Sequence, residues 1–91
     1  MEILTHSEAK KVLSEHGFLF NILDEMTEWK FIAWNDKISL EMTAKKEDFE
    51  ALAKRIDKNI QPHELGEISR LMMLRKALYR MNKEGLIKWQ K

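Results

Sequence analysis

Between residues 71 and 84 apolar and basic side chains alternate with a period that a helix can use and a strand cannot. At about 100° per residue, Leu71, Leu74, Leu78 and Met81 fall in one narrow arc. Lys76, Arg80 and Lys83 fall on the opposite side, flanked by Met72, Met73 and Tyr79. Such a segment buries one stripe against the domain and leaves a basic stripe in water. Gly85 is placed to stop it, and Leu86-Ile87-Lys88-Trp89 leaves as an extended segment able to join a sheet as a strand. Upstream the face changes, because Leu65 and Ile68 point toward the basic side of the later turns. Either one continuous helix buries two different faces, or a bend or break near Ser69-Arg70 makes a helix, turn, helix arrangement. Gly66 weakens the first part without placing the break.

The remainder of the chain supplies what this segment packs on. Thr5-His6-Ser7-Glu8 reads as a capping box opening a helix, with Ala9, Val12 and Leu13 inward and Lys10, Lys11 and Glu15 outward. Gly17 after His16 ends it. Residues 18–28 satisfy two periods: Phe18, Ile22, Met26 and Trp29 suit a helix, and Phe18, Phe20 and Ile22 suit a strand. Our reading leans to a second short helix or a turn. Two β-favouring runs, Trp29 to Trp34 and Ile38 to Thr43, flank Asn35-Asp36-Lys37 and predict a hairpin. Alternation is poor in the first run, which predicts a strand covered on both faces. Residues 45–58 predict a helix with Phe49, Leu52, Ala53 and Ile56 inward, and Pro62 suits the first position of the next helix. The expected fold is a small single α+β domain spanning residues 1–91. Its order is N-terminal helix, β-hairpin, two or three helices and a short C-terminal strand.

Composition narrows the function classes. The charged share of 34% exceeds the average of about 25%, yet three Trp and four Phe supply core material, so the chain is not disordered. The absence of cysteine excludes disulfides and thiolate metal sites. The longest apolar runs, Phe31-Ile32-Ala33-Trp34 and Leu71-Met72-Met73-Leu74, fall far short of the roughly 20 residues that span a bilayer. The first residues lack a basic and apolar leader pattern, so a soluble, cytoplasmic protein without membrane association is expected. His6, His16 and His63 are scattered, and His63 with Glu67 makes two ligands, short of a metal site. The acidic groups Asp24, Glu25, Glu28 and Glu47, Asp48, Glu50 lie in hydrophilic stretches that favour solvated surface over acid–base chemistry. No phosphate loop or nucleophile elbow occurs, so neither an enzyme nor a cofactor is expected.

Charge distribution points to a partner. Residues 1–43 carry four Lys against eight Asp or Glu, whereas residues 62–91 carry seven Lys or Arg against three Glu. That asymmetry fits either mutual neutralisation in the fold or an acidic partner for the basic half. Two helical stretches followed by Lys83-Glu84-Gly85-Leu86-Ile87 and a terminal strand resemble the end of winged helix-turn-helix domains, over about a quarter of the chain. The resemblance implies that the second helix lies in a DNA groove. Arg75, Lys76, Arg80 and Lys83 would then face DNA, with Lys88 in the following segment. The chain departs from that family in lacking a small-residue turn between the helices and a second wing strand. A regulator that binds nucleic acid through the 70–88 region is therefore one expectation. The other is a protein-interaction module that inhibits or adapts a larger enzyme, with Met72, Met73 and Tyr79 as adaptable anchors. Homodimerisation through the long helix is compatible with either.

Overall fold

A computed structural model describes residues 5–89. The elements run α1 (His6–Glu15), β1 (Leu19–Asp24), β2 (Glu28–Trp34), β3 (Ser39–Lys45), α2 (Lys46–Ile56) and α3 (Pro62–Lys83). The α+β class is as expected: one helix, a three-stranded antiparallel sheet in the order β1-β2-β3, then two helices.

Local chemistry sets the ends of these elements. The Thr5 hydroxyl accepts from the Glu8 amide at 3.1 Å and donates to the Glu8 carboxylate at 2.9 Å, opening α1. Both α1 and α3 end in the same closure. Gly17 and Gly85 each sit at φ +79°, and the next amides, Phe18 and Leu86, bond back to Leu13 and Met81 carbonyls at 2.9 Å. In the β2–β3 turn the Asn35 side-chain oxygen accepts from the Lys37 and Ile38 amides, both at 2.8 Å.

Residues 19–24 form a strand, not the second helix or turn that the sequence favoured. Phe20 and Ile22 turn toward the core, and the whole strand pairs with β2, Ile22 opposite Phe31 and Phe20 opposite Ala33. Met26, which had supported the helical spacing, stands almost fully exposed at the β1–β2 turn. Long-range pairing decided between two periods that the local sequence satisfied equally. On the core side β2 presents Trp29, Phe31 and Ala33, all buried, and β3 adds Met42 opposite Phe31. The expectation that β2 is covered on both faces fails. Its other face carries Lys30, Ile32 and Trp34 outward, and Lys30 pairs with Glu41 at 3.5 Å. The helices cover one face only: α1 packs against β1, α2 against β2 and β3, and α3 against β2.

Of the two alternatives for this region, the break near Ser69-Arg70 is absent and the continuous helix is found: α3 runs unbroken from Pro62 to Lys83. The change of face is nevertheless real, and one helix accommodates it by meeting different neighbours along its length. At about 1.5 Å per residue α3 is roughly 33 Å long, and α2 about half that. After the short loop at 57–61, α3 folds back along α2, and Leu65 and Met72 in this half of α3 are buried. Ser69 is fully buried on this part, where its hydroxyl accepts the Trp29 indole N–H at 2.8 Å. Farther along, Leu74, Ala77, Leu78 and Met81 are fully buried on the other face.

The expected C-terminal strand is not formed: residues 86–89 are irregular, and among the described residues the sheet has three strands. Ile87 and Trp89 are buried instead in the helical layer. The Lys88 amide donates to His16 Nε2 at 3.0 Å, and Trp89 N–H donates to Asn82 Oδ1 at 2.9 Å. With Nε2 accepting, His16 Nδ1 donates to the Val12 carbonyl at 2.9 Å. His16→Ala should remove this tie, cost about 1–2 kcal/mol and accelerate hydrogen exchange at the Lys88 amide. Unchanged exchange there would show that the segment is held by Ile87 and Trp89 alone.

Candidate functional site

The place where α2 stops covering α3 brings most of the candidate residues together. A groove of about 230 Å³ runs between the two helices, floored by Phe49, Leu52 and Met72 and edged by Arg75, Lys76 and Tyr79. Leu52 is 37% exposed, and Ile56, one turn farther along α2, is 47% exposed. Sequence spacing placed both inward. The apolar stripe of α2 is wider than the surface α3 offers it, and the surplus lies open to solvent.

Tyr79 is 42% exposed yet firmly held. Arg75 donates to its hydroxyl at 3.1 Å, with the guanidinium 5.5 Å from the ring centroid, and Trp89 meets the ring at 4.7 Å. A half-exposed aromatic fixed on two sides loses little side-chain freedom when a partner covers it. Lys76 on α3 is exposed, its ammonium 5.9 Å from the ring of Phe49 in the first turn of α2.

The two remaining anchors differ. Met72 is buried in the floor of the groove, and Met73 is fully buried in the core, so Met73 offers a partner no surface. A polar substitution at either position tests folding before it tests binding.

Beyond α2 the exposed face of α3 carries Lys76, Arg80 and Lys83 at successive turns. Arg80 Nε donates to Glu84 at 3.0 Å. Among the described residues no ion pair joins this stripe to Asp24, Glu25 or Glu28, and Asp24 pairs with Lys46 at the other end of the sheet. Lys88 is exposed but stands apart from the stripe, in the segment tied to α1.

Among the described residues no cluster of three His, Asp or Glu is arranged to hold a metal ion, and no helix is long and apolar enough to cross a membrane. Comparison with protein-family models, curated proteins and solved structures finds no match to this chain.

Proposed function

We propose that the chain is a small protein-interaction module whose α2–α3 groove receives an acidic, amphipathic helical segment of a partner protein. The carrying observation is the convergence of an open apolar floor with two cationic side chains on its rim and a pre-positioned tyrosine. An apolar groove between helices suits the apolar face of a helix. Arg75 and Lys76 favour Glu or Asp beside that face, which sets orientation and speeds encounter. Having no cysteine, the chain suits a reducing compartment, and we place this activity in the cytoplasm.

The test is a titration with a short helix-forming Leu/Glu peptide, with its Leu/Lys counterpart as control, followed by NMR. The acidic peptide should perturb Phe49, Leu52, Met72 and Tyr79, and the basic one should not. Equal binding of both peptides, or shifts spread away from the groove, would rule the reading out.

A second reading is nucleic-acid binding by Lys76, Arg80 and Lys83, favoured by their alignment on one exposed face of α3. Cations so placed meet phosphates, and affinity then falls steeply with salt. The triple reversal Lys76→Glu, Arg80→Glu, Lys83→Glu should abolish retention of a duplex or single-stranded probe at low salt, without changing thermal stability. An unmodified protein that shifts no such probe at low salt would exclude it.

A further inference from the structure

On the other side of the molecule a second cleft, of about 250 Å³, opens between α1, β1 and the middle of α3. Its polar walls are His6, Lys10 and Ser14 from one face of α1, Asn21 from β1 and Arg70 from α3, and no acidic side chain lines it. His6, Lys10 and Ser14 recur every four residues, so all three look the same way. The imidazole of His6 leans onto the Phe20 ring at 5.5 Å, which draws it toward the strand. Asn21 uses its oxygen to accept the Ile22 amide at 2.9 Å, leaving its NH₂ group as the donor.

Arg70 is the decisive residue. It is half-buried, and its Nε is shielded from solvent with no hydrogen-bond acceptor. Burying a guanidinium N–H without an acceptor costs stability, and a guanidinium that turns toward an anion in the cleft it lines would recover that cost. Arg70 also borders the hollow holding Asp24 and Glu67, yet among the described residues it pairs with neither.

We infer that this cleft binds a small phosphomonoester with an apolar or aromatic body. Two cations, Lys10 and Arg70, with a histidine beside them and no acidic side chain in the lining match a dianion better than a single carboxylate. Phe20 and Leu19 supply apolar surface for the body. The volume lies near the lower limit for small-ligand sites, about 300 Å³, which favours a small molecule over a chain. The inference is independent of the α2–α3 groove, which lies on different residues.

Phenyl phosphate, inorganic phosphate and benzoate titrated separately into the full chain provide the test. Phenyl phosphate should bind most tightly and shift the amides of Lys10, Asn21 and Arg70. Lys10→Gln and Arg70→Gln should each weaken it about tenfold or more. Lys10 is exposed on α1, so its variant keeps the fold even where loss of Arg70 disturbs it. Absence of shifts at millimolar phenyl phosphate would overturn the inference. So would benzoate binding as well as phenyl phosphate, or a folded Lys10→Gln variant with unchanged affinity.

Discussion

Phe31→Ala is expected to lower stability by about 3–5 kcal/mol, enough to depress the thermal midpoint by roughly 15–30 °C in a domain of this size. Phe31 is fully buried at the centre of the central strand, between Ile22 and Met42, and stacks on Phe20 with ring centroids 6.1 Å apart. Truncation removes the transfer energy of a whole ring and leaves a cavity where neighbours from three strands and the helices meet. The paired control is Ile32→Ala. Ile32 is the next residue and belongs to the uncovered face, where it stands between Asn21 and Glu41. Its loss should cost about 1 kcal/mol, since surface positions move stability little. Thermal or denaturant unfolding of the two variants measures the contrast directly. Equal losses would mean that the outer face is covered, by a second copy or another partner, and that the sheet has two buried sides in solution.

Leu52→Asp is expected to weaken the acidic peptide by about thirtyfold or more, the effect of removing a central anchor from an interface. It should lower the unfolding midpoint only modestly, because Leu52 is 37% exposed at the groove and lies outside the buried core. The added carboxylate also opposes the peptide's own charge beside Arg75 and Lys76. Tyr79→Ala should act in the same direction through loss of the anchored ring. Met73→Asp serves as the opposite case, abolishing the fold by placing an unpaired charge in the core. If Leu52→Asp unfolds the domain, α2 depends on that contact and the groove is part of the core. If it folds and binds the peptide unchanged, the site lies elsewhere.

The residues that sequence reasoning located and those it missed differ in a consistent way. The stripe of Lys76, Arg80 and Lys83 was readable because helical period is a local property, and its exposure followed from charge. Tyr79 was readable as a large side chain beside that stripe. Leu52 and Ile56 read as inward because an apolar residue at helical spacing reads as core, and only the size of the neighbouring helix shows which part of the stripe is covered. Met73 reads as surface for the complementary reason. It flanks the basic stripe in projection, but another element covers that flank. The cleft at Arg70 left no sequence signal, since His6, Lys10, Asn21 and Arg70 are dispersed over the chain and converge only in the fold.

The basic segment at the C-terminus shows the same division. By itself the sequence determined its helical state, its two stripes, its closure at Gly85 and the shift of buried face near Ser69. It also determined the capping at Thr5, the hairpin turn at Asn35 and the entry of α3 at Pro62. These rest on interactions within a few residues along the chain, so the order of residues suffices to specify them. Tertiary structure decided the rest. It made residues 19–24 a strand by pairing them with β2, kept α3 unbroken by giving its two faces different neighbours, and turned the last segment into the helical layer through His16 and Asn82. Each outcome is set by contacts between residues far apart in sequence, whose energies exceed the small local preferences that had left two conformations nearly equal.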